Sequence, residues 1–317
     1  MVKWLVLWII MVASCRPAIE VVEPKLYQIN PENTRELITY LSSDQLNGRK
    51  TGTPGIDYAA NFIEDNFRKN GLTPLFESYR DSFKLNTIDA FNVVGFVEGQ
   101  DAILKNEIII IGAHYDHVGI LKSVNNDSIA NGANDNAAGT VAVMQLAHYF
   151  ASAKTNKRSL IFALFSAEEM GLQGSKHLAA KLKSTEIDLY TMLNFEMIGV
   201  PLVDKGYDAY LTGYEMSNMA GKMNAYMADN VIGFFPKSQE FKLFRRSDNF
   251  AFFKEFGLPC QTISTFDFTN YEYYHHVDDE ASLMDFEHMS DLINKMIPAI
   301  KTMSVTPTKE IKMTKRE

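Results

Sequence analysis

Three times along this chain a nearly unbroken apolar run ends directly in residues with metal-ligand or acid–base chemistry. Glu107-Ile108-Ile109-Ile110-Ile111 leads into Gly112-Ala113-His114-Tyr115-Asp116-His117, and Ser159 to Phe165 leads into Ser166-Ala167-Glu168-Glu169-Met170-Gly171. Thr191-Met192-Leu193-Asn194-Phe195 leads into Glu196-Met197-Ile198-Gly199. Runs with no polar face fit strands covered on both sides, as in a parallel sheet, and the residue that ends each run is delivered to the sheet's edge. A single His-x-Asp carries little in a chain with seven histidines and thirty-nine acidic residues. Its repetition as part of one grammar carries more.

Helical signals lie before, between and after these runs. Asn30-Pro31-Glu32 supplies an N-cap, a first-turn proline and a first-turn acid, which predicts a helix from Pro31 to about Leu41. Ala59, Phe62, Ile63 and Phe67 recur at helical spacing from Ile56 to Lys69, closed by Asn70-Gly71. Between them Ser43 to Gly55 reads as loop. Further helices are expected after Gly139, over Glu215 to Asn230 with a core-facing methionine stripe, from Ser247-Asp248, and over roughly Asp285 to Met303. Phe91 to Val97, Ala209 to Gly213 and Cys260 to Ser264 read as additional strands, Lys122 to Asn131 as unpatterned, and Lys309 to Glu317 as a frayed end. The alternation predicts an α/β fold: a mostly parallel, doubly wound mixed sheet with helices on both faces.

With 317 residues, 46% of them hydrophobic and 22% charged, the chain is long and apolar enough for one large domain, expected over residues 30–305, with a tail at 306–317. A net charge of −8 carries no basic footprint for nucleic acid. Cys15 and Cys260 are too few for a thiolate site, so a metal here needs imidazole and carboxylate ligands. Residues 1–14 hold Lys3 and the apolar run Trp4 to Val12, too short to span a bilayer and shaped like a secretion signal. Val12-Ala13-Ser14-Cys15 resembles the site at which bacterial lipoproteins are cleaved and acylated on cysteine, which makes residues 15–29 a lipidated tether. The expected location is the bacterial cell envelope, anchored in the membrane through an acylated Cys15, with the outer membrane preferred and a periplasmic or secreted protein as the other reading.

In a doubly wound sheet, strand carboxyl ends share one crevice. That gathers His114, Asp135, Glu169, Glu196 and His275: two imidazoles and three carboxylates. Asp135 sits in the Gly- and Ala-rich turn Asn131 to Gly139, where either it or Asn134 equally fits a helix cap. Glu168 and Glu169 diverge by roughly 100° if they enter a helix, so one can ligate while its neighbour serves as general base. The donor set suits Zn²⁺, with Mn²⁺ or Co²⁺ as substitutes, and three carboxylates among five ligands point to two ions bridged by one of them.

His114-Tyr115-Asp116, Asn134-Asp135-Asn136-Ala137-Ala138-Gly139, Ser166 to Gly171, Asn194 to Gly199, Ser247-Asp248 and Tyr274-His275-His276-Val277-Asp278-Asp279 together resemble the M28 family of co-catalytic zinc aminopeptidases, over roughly residues 33 to 300. The resemblance implies a zinc-exopeptidase-like α/β/α sandwich and a metallopeptidase acting on peptide substrates. It implies that Asp135 bridges two Zn²⁺, that His114 and Glu196 complete one ion and Glu169 and His275 the other, and that Glu168 is the general base. Asp116 is implied to orient the His114 ring, and Tyr274 to donate to the developing oxyanion or to pack. Glu196 departs from the aspartate common in relatives, and His276, which stands where threonine is common, is a rival to His275 for the ligand position. His117 reads as a rim residue, with substrate contact as the other reading. Rival functions are acidic-peptide carboxypeptidase or glutaminyl cyclase chemistry, for which Arg245-Arg246 offers a carboxylate site or a surface pair, and an inactive lipid-anchored binding module.

Overall fold

The computed structural model, which describes residues 27–314, places the three apolar runs side by side in the middle of a nine-stranded sheet. The strands are β1 (Thr73–Pro74), β2 (Arg80–Leu85), β3 (Ile88–Val97), β4 (Glu107–His114), β5 (Gly119–Val124), β6 (Asp127–Ala130), β7 (Ser159–Phe165), β8 (Asp188–Glu196), β9 (Ala209–Leu211), β10 (Ile232–Gly233) and β11 (Cys260–Ser264). Their order is β1-β3-β7-β4-β8-β11-β9-β10, with β2 also paired to β3. The central four, β7, β4, β8 and β11, are parallel. On either side β3 and β9 join them antiparallel. Strands β5 and β6 form a separate hairpin.

The helices are α1 (Pro31–Leu41), α2 (Pro54–Lys69), α3 (Ala138–Ala153), α4 (Gln173–Ser184), α5 (Met219–Met227), α6 (Pro236–Glu240), α7 (Asn249–Phe256) and α8 (Phe286–Val305). Strand alternation divides the core between two layers. Ile109, Ile111 and Ala113 pack with residues of α1, α2, α3 and α8, whereas Ile108 and Ile110 pack with Leu178 and Leu182 of α4 and Phe252 of α7. This is the expected mostly parallel α/β sandwich. Among the described residues no helix is long and apolar enough to cross a membrane.

Five local expectations need correction. Lys122 to Asn131 is largely the β5–β6 hairpin, whose turn residues Asn125 and Asn126 both take positive φ, 49° and 70°. Asn tolerates that conformation, and a pair of such residues is the signal of a tight two-residue hairpin turn. Strand β2 was not expected, because its charged residues interrupt the apolar alternation. The helix expected over Glu215 to Asn230 is only Met219–Met227, although Met219 and Met223 are buried as foreseen. Lys309 to Thr314 is docked: Ile311 is buried and its N–H donates to the Tyr190 hydroxyl, while Met313 bridges Ser217. Finally, Tyr27 stacks on His148 and Ile29 is buried, so residues 27–29 belong to the packed fold rather than to a tether. The expected signal peptide, Cys15 and the first part of the tether lie outside the described residues.

Arg49 ties the early loop to the sheet's carboxyl edge. Only 1% exposed, its guanidinium donates from Nε to the Tyr115 carbonyl (2.8 Å), from Nη1 to the Asn131 carbonyl (2.6 Å) and to that of Leu41, and from Nη2 to the Gly132 carbonyl (2.9 Å). Burial lowers its pKa to about 10, and the nearby carboxylates of Asp279, Asp135, Asp116 and Glu169 oppose that shift, so it stays charged at neutral pH. Replacing Arg49 by Met is expected to cost about 3–5 kcal/mol of unfolding free energy, because each carbonyl left buried without a donor costs roughly 1–3 kcal/mol and local relaxation recovers part of it. Urea denaturation should show a lower midpoint at unchanged slope. An unchanged midpoint would show that Arg49 is not a tie.

Candidate metal centre and active site

The parallel strands end level with one another. His114 lies opposite Phe165 of β7, and Glu196 opposite Ser264 of β11. With β4 and β8 adjacent, His114 Nε2 comes within 3.0 Å of Glu196 Oε1 and 3.4 Å of Asp135 Oδ1. The second Glu196 oxygen accepts from the Ser247 hydroxyl at 2.6 Å.

A second group forms around the other oxygen of Asp135. His275 Nε2 stands 3.2 Å from Asp135 Oδ2 and 3.1 Å from Glu169 Oε2. His117 Nδ1 stands 3.0 Å from Glu169 Oε1 and 3.8 Å from Asp135 Oδ2. Ligand-type atoms of His117, Asp135, Glu169 and His275 lie within 4.8 Å of one another, as do those of His114, Asp135 and Glu196. Asp135 is common to both. His275 Nε2 and Asp135 Oδ2 are buried without any aligned hydrogen bond among the described residues despite their closeness. That geometry fits atoms directed at a shared cation rather than at each other. Imidazole and carboxylate donors without thiolate fit zinc.

The turn that carries Asp135 is pinned from both flanks. Asn134 Oδ1 accepts from the Gly199 N–H, and Asn136 Oδ1 accepts from the N–H groups of Gly139 and Met197. Asn136 Nδ2 also donates to the Phe195 carbonyl. The helix-facing cap is thus made by Asn136, which leaves the Asp135 carboxylate free. Asp279 accepts from the backbone N–H groups of Asn134 and Asp135 and from the Tyr271 hydroxyl, holding the turn from the far side. Gly132 takes φ +59°, and a Cβ there would come within 2.4 Å of the Asp135 carbonyl and 2.6 Å of the His117 ring. Only glycine allows that approach.

Glu168 and Glu169 follow β7 and face different neighbours. Glu169 joins the second ligand group, while Glu168 lines the cleft and donates its backbone N–H to Asp116 Oδ1. This adds a second contact to the one expected of Asp116. The His114 Nδ1 contact at 3.1 Å is to the Asp116 backbone carbonyl; the carboxylate is 3.7 Å away and instead organises the Glu168 turn and accepts from Thr51. Tyr274 stacks on the His275 ring at 4.0 Å and lines the cleft. His276 turns away: its Nδ1 accepts from the Asp278 N–H.

The electrostatics are those of buried like charges needing cations. Burial, together with Asp248, Glu196 and Glu169, holds the Glu168 carboxyl well above its usual range, opposed by His114. Burial pushes Asp248 up to about 7. Burial works against charge on His114 and His275, yet their carboxylate neighbours win: Glu196 and Glu168 hold His114 well above 6.5, and Asp135 and Glu169 lift His275 to about 10. Burial disfavours the Asp135 and Glu169 anions, but imidazole contacts outweigh it and keep both below the ordinary carboxylate values. The Tyr274 hydroxyl is raised, first by burial and then by the acids around it, so it remains a proton donor.

The residues expected to form the site, His114, Asp116, Asp135, Glu168, Glu169, Glu196, Tyr274 and His275, are all brought to one cleft of about 200 Å³ or its immediate wall. Sequence reasoning misplaced His117, which is 1% exposed and not on the rim, and left Asp279 without a role. The motif His114-Tyr115-Asp116-His117 held the available signal: two imidazoles flanking an acid just after a buried strand.

The family model described as peptidase family M28 matches residues 92–298. A probable zinc metalloprotease of Pyrenophora teres is 31% identical over 192 residues, covering 56% of this chain and 39% of the relative. A probable leucine aminopeptidase 2 of Trichophyton verrucosum is 32% identical over 158 residues, covering 47% and 29%. The chain therefore spans well under half the length of these curated relatives. Among solved structures, the LapA aminopeptidase of Legionella pneumophila aligns at TM-score 0.67 and 21% identity over 87% of this chain and 72% of that one. A glutaminyl cyclase of Porphyromonas gingivalis aligns at TM-score 0.65 and 14% identity over 86% and 98%. These structures share the fold. With the family model covering about two thirds of its length, the chain belongs to peptidase family M28.

Proposed function

We propose that the protein is a zinc-dependent aminopeptidase holding two ions, one by His114, Asp135 and Glu196, the other centred on Asp135, Glu169 and His275. The observation that carries this reading is the pair of ligand groups sharing Asp135 beside an unligated Glu168. Zinc, when bound, supplies Lewis acidity that polarises the scissile carbonyl and makes water acidic enough to attack near neutral pH. Similarity to proteins named zinc metalloprotease and leucine aminopeptidase supports the metal and the reaction.

The chain's own residues do the rest. Glu168, fixed through its backbone by Asp116, takes a proton from the attacking water and returns it to the leaving amine. Tyr274 keeps its proton and can donate to a developing oxyanion. The glutaminyl cyclase alignment keeps one alternative, which differs in product: cyclisation releases ammonia and leaves the peptide chain uncut.

We also propose export and membrane anchoring through an acylated Cys15, supported by the charge, apolar run and small residues before it. Cys15→Ala should move the expressed protein from the detergent phase to the aqueous phase in a partitioning assay; unchanged partitioning would remove the anchor.

Three further outcomes are expected. Aminoacyl-nitroanilide hydrolysis should vanish on chelation and return with zinc, and Glu168→Gln should lower kcat by about 10²–10⁴-fold while bound zinc is unchanged. Retained activity after chelation, or zinc loss in the variant, would contradict the roles given. Metal uptake should also release protons: the metal-free His275 has a pKa near 10, so below that pH it is protonated and zinc must displace the proton. Apparent zinc affinity therefore falls as pH falls, and calorimetry in buffers of different ionisation enthalpy should report net proton release. No release at pH 7 would contradict the assignment of His275.

A further inference from the structure

The imidazole of His117 has a place in the fold that a packing histidine does not need. Its ring is 1% exposed, and its Nδ1 faces Glu169 Oε1 at 3.0 Å and Asp135 Oδ2 at 3.8 Å. Its other nitrogen, Nε2, is buried with no hydrogen-bond partner among the described residues. A core histidine is ordinarily held through both nitrogens. Here all polar orientation comes from the ligand group. The ring packs edge-on against that of His275, with centroids 5.6 Å apart, so two imidazoles approach the same pair of carboxylates from different directions.

The backbone is arranged to admit this ring. Gly132, at φ +59°, lies where any Cβ would strike His117 Cγ and Cδ2 at 2.6 Å. Arg49 bonds to the Gly132 carbonyl through Nη2, and the Arg49 carbonyl accepts the His117 N–H at 3.4 Å. The same buried cation that closes the early loop therefore fixes both the ring's backbone and the glycine beneath it.

We propose that His117 Nδ1 is a sixth metal ligand, so that the two ions are held unequally: one by His117, Asp135, Glu169 and His275, the other by His114, Asp135 and Glu196. This rests on the two-ion reading above and adds to it a division of labour. Four protein donors are the complement of a closed, structural zinc site, and three leave a position open for chemistry. The ion beside His117 is accordingly the tightly held one. The ion beside His114 is the exchangeable one, and Glu168 lines the same cleft as His114 and Glu196.

The test is a chelator-competition titration of the zinc-loaded full chain, with metal content read by elemental analysis and no activity measurement. Wild-type protein should hold two zinc ions that leave in two separated steps. His117→Ala should weaken the tighter ion at least tenfold, drawing the two steps together, whereas His276→Ala, which alters a histidine turned away from the cluster, should leave both steps in place. For a readout free of substitution, cobalt-loaded wild-type protein should show three exchangeable imidazole N–H resonances shifted by the paramagnetic metal, from His114, His117 and His275. Two well-spaced ions in His117→Ala together with only two shifted resonances in the wild type would overturn the proposal while leaving the two-ion site intact. Failure of the wild type to bind two ions would instead overturn the reading on which it rests.

Discussion

Everything at the carboxyl edge of the sheet depends on one electrostatic constraint: too many acids share a space with too little water. Glu168 feels the charges of Asp248, Glu196 and Glu169, Glu169 feels Asp135, and Asp248 feels Glu196 and Asp116. Like charges at such separations in a low-dielectric crevice cannot all stay ionised without cations among them. Imidazoles answer part of the demand, and their raised pKa values show that protons occupy the role a metal would fill. The surplus of carboxylate is therefore a binding capacity held in the scaffold. It makes sense of the unaligned contacts of His275 and Asp135, which are poor hydrogen bonds and good ligand directions.

Holding that arrangement requires rigid neighbours. The parallel strands set His114 and Glu196 side by side with a register that tolerates no slip, since a shift of one residue would turn either side chain to the opposite face. The Asp135 turn lacks such a strand and is held by side chains instead: its own Asn134 and Asn136 bond to the backbone at the β8 end, and Asp279 reaches it from the loop that carries His275. Asp116 acts at two points through different atoms, its carbonyl on the His114 ring and its carboxylate on the backbone of Glu168. Thr51 joins this network and also accepts from the Ala167 N–H, so the early loop reaches both the β4 and β7 ends. The segment Ser43 to Gly55 thus belongs to the site's support although it contributes no ligand group.

Most of the central sheet and the residues at its edge could be read from the sequence, because fully buried strands leave an unmistakable apolar run and the polar residue that ends one stands out. Periodicity failed where side chains face water on one side or a turn determines the pairing, as in β2 and the β5–β6 hairpin. It also failed at Lys309 to Thr314, whose docking depends on Tyr190 and Ser217, far away in the chain. His117 was misjudged for a related reason. Three residues beyond His114, it lies past the strand, and its direction is set by Arg49 and Gly132, which no local pattern connects to it. Asp116 could be placed near His114 but not given the right atom, since backbone and carboxylate oxygens of one residue are indistinguishable in sequence.

The central claim concerns which bond is cut, and digestion of a peptide library by the zinc-loaded protein, read by mass spectrometry, tests it most directly. Products shortened one residue at a time from the free amino terminus, with N-acetylated peptides left intact, are expected. Shortening from the carboxyl terminus, cleavage of blocked peptides, or loss of ammonia from N-terminal glutamine without chain cleavage would contradict the aminopeptidase reading.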